Sequence, residues 1–186
     1  MIEFTIPTLL TLTRMGLILL LAVVFYLPWE YSNVACMIIF STAGFTDWLD
    51  GHLARKWQME TSFGAFLDPV ADKLLVSMVL VLIVQQEANA WATIAAAVII
   101  GRELTIASLR EWMAEKGQRS KVAVSNLGKW KTGTQMTAMG CLLFKEDLWF
   151  LPVSAIGYIL LYIAAVLTVW SMCEYLKIAF QTVEAK

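Results

Sequence analysis

Four aspartates are spaced so that they could do chemistry together. The segment Thr46–Arg55 reads T-D-W-L-D-G-H-L-A-R and puts Asp47 and Asp50 three residues apart; Gly64–Asp72 reads G-A-F-L-D-P-V-A-D and puts Asp68 and Asp72 four apart. On α-helices the members of each pair share a face, and two such faces can converge across a helical hairpin. Carboxylates gathered in this way repel one another. Divalent cations relieve that repulsion, and hard oxygen donors suit Mg²⁺, Mn²⁺ or Ca²⁺. Two such ions can hold a pyrophosphate, polarise phosphorus and stabilise a leaving phosphate. Gly51 and Gly64 let a ligand approach the backbone closely, and Arg55 offers a planar fork to phosphate oxygens. Helix capping or pairing with Arg and Lys would explain one or two of these carboxylates. It does not explain four at two helical spacings with glycines beside them.

The elements that must position these residues follow from composition. Of 186 residues, 59% are hydrophobic, and the mean hydropathy is +0.68, well outside the apolar share of ordinary soluble domains. The expectation is an all-α integral membrane protein, a single domain over residues 1–186. Hydrophobic runs cover approximately residues 8–28, 32–50, 68–87, 89–113, 131–146 and 149–176, which predicts six transmembrane helices. Several uncharged stretches within them, Tyr31–Thr46, Leu74–Gln86 and Ala88–Gly101, are too short to cross a bilayer core alone. Their helices must therefore continue into charged residues: Asp47 and Asp50 at the end of the second, Asp68 and Asp72 at the start of the third, and Arg102, Glu103 and Arg110 along the fourth. Pro69 suits a first-turn position, which would put Asp68 at the mouth and Asp72 one turn deeper. Ionised groups facing lipid cost several kcal/mol each, so charges at this depth imply a polar cavity.

The formal net charge is only −1, but its layout is uneven. Basic residues from Arg14 to Lys186 map to one side of the six helices, and Lys145 alone maps to the other. By the positive-inside rule the cavity opens to the cytoplasm, where both termini also lie. Trp29, Trp91 and Trp149, in the short turns of the opposite side, would form an interfacial belt. The longest connection, Lys116 to Lys129, is basic and cytoplasmic. Met1–Phe4 lacks a basic signal-peptide start, so the first apolar segment is expected to remain as an anchor. Cys36, Cys141 and Cys173 lie far apart in apolar stretches and read as buried thiols rather than disulfides or zinc ligands. No nucleic-acid partner is expected. A transporter or channel would place acidic residues near the bilayer midplane with inverted repeats and broken helices, and the sequence has no such pattern. An intramembrane prenyltransferase would also use aspartate pairs and Mg²⁺, but in a larger bundle.

The pattern D-x-x-D-G-x-x-A-R, eight residues, then G-x-x-x-D-x-x-x-D, fulfilled from Asp47 to Asp72, resembles the signature of the CDP-alcohol phosphotransferases. The resemblance extends over nearly the whole chain through Ile6–Arg14, Gly101–Glu115, Val122–Ser125 and Gly128–Thr132, and these flanks are most similar to the bacterial branch whose acceptor is sn-glycerol 3-phosphate. It implies a multi-pass protein of the bacterial inner membrane and a homodimer, using two Mg²⁺ or Mn²⁺ ions. It implies that CDP-diacylglycerol and glycerol 3-phosphate give phosphatidylglycerophosphate and CMP. By the same analogy Asp47, Asp50, Asp68 and Asp72 hold the metals, Asp72 also acts as general base on the acceptor hydroxyl, and Thr8, Asp50, Gly51, Ala54, Arg55 and Gly64 receive the CDP-lipid. Thr11 and Arg14 could join Thr8 at the nucleotide, although capping and topology explain all three almost as well.

An acceptor that carries its own phosphate calls for a second anion site. Arg102, Arg110, Arg119, Lys129 and Lys131 are the candidates. Arg119, with Lys116 and Lys121, is equally well explained by contact with anionic headgroups. Arg102 and Arg110 sit on a helix that needs its charged end to span, which favours a ligand or a partner such as Glu103 or Glu111. His52, the only histidine, occupies a spacer position in the signature and reads as solvated.

Overall fold

The computed structural model describes residues 6–57, 62–116, 126–148 and 150–184, with side chains described except at 6–7, 48, 50–57, 62, 65, 87, 126–129 and 178–184. The chain is helical throughout most of these residues: α1 (Ile6–Tyr26), α2 (Ser32–Trp57), α3 (Ser62–Glu87), α4 (Ala90–Glu115), α5 (Asn126–Phe144) and α6 (Val153–Glu184). The expected six helices are present. Among the described residues, three of them contain segments long and apolar enough to cross a membrane, Thr8–Tyr26, Ala90–Glu115 and Val153–Lys177.

The helices end where local chemistry stops them. Asn89 caps α4, its side chain accepting from the Trp91 N–H at 2.9 Å, a bond of about 1 kcal/mol in typical N-caps. After α3 and α5 the chain turns left-handed at Ala88 (φ 45°) and Lys145 (φ 62°). The Ala88 N–H reaches Val84 O at 3.1 Å and the Lys145 N–H reaches Cys141 O at 3.0 Å, which satisfies carbonyls that the helix end would otherwise leave open. At the charged ends the helices run past the apolar stretches, the continuation expected of them: α2 continues from residue 50 to Trp57, and α3 begins six residues before Asp68.

That early start corrects the place of Pro69. It lies inside α3 rather than in its first turn, so Asp68 sits nearly two turns into the helix. Proline cannot donate to the carbonyl four residues back, and the ladder of α3 therefore lacks one bond immediately beside the aspartates.

Two compact units divide the chain, one formed by residues 1–83 with 140–154, the other by 84–139 with 155–186. In the first, α1 presents one buried stripe of Thr8, Thr11, Arg14, Ile18 and Leu21, the three-and-four spacing of a packed helix face. The α2 residues Cys36, Phe40 and Ala43 and the α3 residues Ala71, Leu75, Val79 and Leu80 are buried in the same unit. Helix directions follow from the contacts. Cys36 Sγ lies 3.8 Å from Leu21 O, joining the start of α2 to the end of α1, whereas Arg14, in the first half of α1, meets Asp47 beyond the middle of α2 and Asp68 in the first half of α3. Thus α2 runs antiparallel to α1, and α3 runs parallel to α1, because Met15–Leu19 and Leu74–Val81, which follow Arg14 and Asp68, line one crevice.

In the second unit α6 buries a regular stripe of Leu161, Ala164, Thr168, Ser171 and Tyr175, and α4 buries Ala92, Ala95, Ala96, Ile99, Arg102 and Ile106. Small residues dominate the first half of the α4 stripe and allow close helix packing where there is no water to drive association. Polar residues interrupt both stripes, Arg102 on α4 and Thr168 and Ser171 on α6. All three cysteines are free, and only Cys36 is buried; Cys141 is half-buried and Cys173 exposed, which corrects the expectation for two of them. Trp29 and Trp91 are exposed, as an interfacial belt requires, and Trp149 lies outside the described residues.

Candidate active site

The first unit brings two of the four aspartates together around a buried arginine. Arg14 has a fully buried side chain, and its Nη1 lies 2.6 Å from Asp47 Oδ1 and 3.3 Å from Asp68 Oδ1. Carboxylates from α2 and α3 therefore converge on one positive centre supplied by α1. A guanidinium withdrawn from water is stable only with such partners. The outer sides of both carboxylates remain open, at 45% and 41% exposure. Thr8 and Thr11 lie on the same face of α1 as Arg14, within the two turns before it, and both are buried.

Asp72 follows Asp68 by one helical turn on α3 and is exposed. Gly64 lies in the first turn of α3 and is half-buried. Asp50, Gly51, Ala54 and Arg55 are all in α2, within the two to three turns that follow Asp47; their side chains lie outside the described set. Among the described residues no group of three or more His, Cys, Asp or Glu side chains comes together as a metal cluster. The donor chemistry nevertheless fits a divalent cation, because two hard carboxylate oxygens from separate helices already point at a common cationic group.

The second unit holds a different polar cluster. Glu103 on α4 accepts from Lys131 Nζ on α5 and from Arg102 Nη1 at 3.3 Å. Arg102 Nη2 donates to Ser171 Oγ on α6 at 3.1 Å, and Ser171 Oγ donates to Thr168 O at 3.0 Å. One turn along α6, the Tyr175 hydroxyl accepts from Arg110 Nη2 at 3.2 Å. The Tyr175 ring lies 5.7 Å from the Arg102 guanidinium carbon and 5.4 Å from that of Arg110, within cation–π range of both. Arg102 and Lys131 are 8% and 3% exposed, so two cations are held out of water together beside a largely buried carboxylate. Even so, Arg102 Nε, Arg110 Nε and Gln135 Oε1 are buried without a hydrogen-bond partner among the described residues.

Three of the five expected phosphate-binding residues, Arg102, Arg110 and Lys131, thus belong to this cluster. Lys129 lies in the first turn of α5 rather than in a loop, with its side chain outside the described set, and Arg119 falls outside the described residues. The expected carboxylate partner of Arg102 is Glu103. Arg110 instead takes Tyr175, while Glu111 is exposed. Sequence reasoning missed Thr168, Ser171 and Tyr175 on α6 and Gln135 on α5; for the three on α6 the available signal was the repeat of polar residues on one face, at three- and four-residue spacing within an otherwise apolar stretch.

Known proteins resemble this chain over most of its length. A sequence profile of the CDP-alcohol phosphatidyltransferases matches residues 4–170, which takes in the whole aspartate segment. The chain is 55% identical over 177 residues to a CDP-diacylglycerol--glycerol-3-phosphate 3-phosphatidyltransferase of Haemophilus influenzae, covering 95% of this chain and 94% of that protein. It is 52% identical to proteins of the same name from Salmonella choleraesuis and Shigella flexneri serotype 5b, covering 95% of this chain and 96% of each. With a profile spanning most of its length and relatives at this identity from end to end, the chain belongs to the CDP-alcohol phosphatidyltransferase family.

Proposed function

We propose that this protein transfers the phosphatidyl group of CDP-diacylglycerol to sn-glycerol 3-phosphate, giving phosphatidylglycerophosphate and CMP, in anionic phospholipid synthesis. The observation that carries the reading is the convergence of Asp47 and Asp68 on one cationic centre, within the intact aspartate signature, together with full-length relatives that bear the name of this reaction.

Asp47, Asp50, Asp68 and Asp72 would hold two divalent ions, Mg²⁺ or Mn²⁺. When bound, these ions supply charge neutralisation for the diphosphate and for the departing CMP. Asp72, exposed and one turn beyond Asp68, takes the proton of the acceptor hydroxyl as its oxygen attacks the lipid-bearing phosphorus. The bond from that phosphorus to the bridging oxygen breaks, and CMP leaves with the electron pair. Thr8, Gly51, Ala54, Arg55 and Gly64 receive the CDP moiety, with Arg55 on phosphate oxygens. Arg14 keeps the two carboxylates oriented when they are not fully engaged by ligand.

Arg102, Arg110, Arg119, Lys129 and Lys131 bind the acceptor phosphate. The unpartnered buried Nε groups of Arg102 and Arg110 support this reading, since a phosphate oxygen would satisfy such donors. Six helices cross the bacterial inner membrane, with the polar cavity and both termini on the cytoplasmic side, where a soluble acceptor can meet a lipid donor. The excess of Lys and Arg on that side supports the orientation. The active form is a homodimer.

The test supplies purified protein with CDP-diacylglycerol, Mg²⁺ and a panel of acceptors, namely glycerol 3-phosphate, inositol 1-phosphate and serine, and follows CMP release. Release that requires glycerol 3-phosphate is the expected result. Release with another acceptor instead would overturn the acceptor assignment, and release with none would overturn the activity.

A further inference from the structure

Beside the aspartate pair the first unit has an apolar crevice of about 290 Å³ whose walls, among the described residues, come from α1 and α3. These are the two helices that the Arg14–Asp68 contact ties together. The α1 wall begins at Met15, the residue after Arg14, and ends at Leu19; the α3 wall runs from Leu74 to Val81. Because α1 and α3 run in the same direction, both walls lead away from the charged end of the unit. At 1.5 Å per residue, Leu74 lies about 9 Å and Val81 about 20 Å along the helix from Asp68. One leaflet of hydrocarbon is about 15 Å deep, so the crevice covers the depth taken by an acyl chain whose headgroup sits at the aspartates.

The walls suit that occupant. Ile18 is buried at the floor, while Leu19 and Val81 are 65% and 56% exposed at the rim, leaving the crevice open sideways to lipid. Met15 and Met78 are unbranched and polarizable, and such side chains adjust to a chain of variable shape. Ser77 is the only polar wall residue, and its small side chain keeps the middle of the crevice open.

We propose that the α1–α3 crevice seats one acyl chain of the CDP-diacylglycerol donor and that Ser77 sets how much chain it admits. The inference rests on the reading of the aspartates as the donor site, because continuity with that site fixes which lipid enters. The crevice is then part of donor recognition: long-chain donors gain burial along Met78 and Val81, at its far end, that short-chain donors do not reach.

Two measurements test it. In detergent micelles, Ser77→Phe is expected to raise KM for dioleoyl CDP-diacylglycerol about tenfold, the scale of discrimination that apolar pockets achieve, with KM for the dihexanoyl donor and for glycerol 3-phosphate held. An equal rise for both donors, or none, overturns the proposal. Independently of turnover and of any variant, a CDP-diacylglycerol with a photoreactive diazirine in its acyl chain is expected to label the unmodified protein within residues 15–19 and 74–81, read by peptide mass spectrometry. Label confined to other helices overturns the crevice assignment, whereas correct labelling without CMP release would leave the crevice standing and count against the reaction.

Discussion

Arg14 lies 2.6 Å from Asp47, its guanidinium fully buried and the carboxylate nearly half exposed. The arginine is thus a built-in cation for a site whose carboxylates also suit divalent ions, and the two positive partners compete for the same oxygens. Replacing Arg14 by Met removes the internal competitor and leaves two neighbouring carboxylates to repel each other. Mg²⁺ should then raise the melting temperature of Arg14→Met by more than it raises that of the unmodified protein, because a ligand stabilises in proportion to its binding to the folded state. Equal Mg²⁺-induced shifts in the two proteins would show that the guanidinium and the metal do not share ligands.

Glu103 is the carboxylate shared by two buried cations, Arg102 and Lys131. Glu103→Gln keeps the shape but removes the negative charge from both, and breaking a buried pair in this way costs about 3–5 kcal/mol. A drop of roughly 10 °C in melting temperature follows for a chain of this size. Inorganic phosphate at high concentration should recover part of that loss by taking the place of the carboxylate. An unchanged melting temperature, measured by differential scanning calorimetry in detergent, would mean that Glu103 does not hold the pair.

Much of this arrangement is legible in the sequence, for definite reasons. Asp47, Asp50, Asp68 and Asp72 announce themselves because paired carboxylates at helical spacing in so apolar a chain call for a purpose, and reading their helices as spans, with uncharged stretches too short to cross, gave the expectation that both extend into charge. Other features depend on tertiary contacts that spacing does not encode. Arg14 could be read as a topology signal or a nucleotide contact, and its role as the bridge from α1 to α2 and α3 needed the packed helices. Pro69 reads as a helix start from local propensity, yet α3 begins at Ser62 because the surrounding structure overrides that preference. Tyr175 offers no charge to flag it, although its ring and hydroxyl serve Arg110 together.

The dual role of Tyr175 can be separated by two substitutions. Tyr175→Phe removes the hydroxyl that accepts from Arg110 and keeps the ring beside both guanidinium groups; a loss of about 1 kcal/mol is expected for one hydrogen bond. Tyr175→Leu removes the ring as well and should cost about 1–2 kcal/mol more. Chemical denaturation of both variants checks the order, and a Leu variant as stable as the Phe variant would exclude the ring from the cluster's stability.

Metal dependence has its own test. With EDTA in excess, CMP formation should fall to background and return on adding Mg²⁺ or Mn²⁺, because the four aspartates alone would present only negative charge to a diphosphate. Full activity in EDTA would remove the divalent ions from the reaction.

The decisive comparison is between the unmodified protein and Asp72→Asn, following transfer of radiolabelled glycerol 3-phosphate into a chloroform-soluble product in the presence of CDP-diacylglycerol and Mg²⁺. The amide keeps the shape of the side chain and removes the base, so transfer should fall by about 10²–10⁴-fold while the far-ultraviolet circular dichroism of the helices is retained. A variant that transfers label at a rate close to that of the unmodified protein would contradict the assignment of Asp72 as the base.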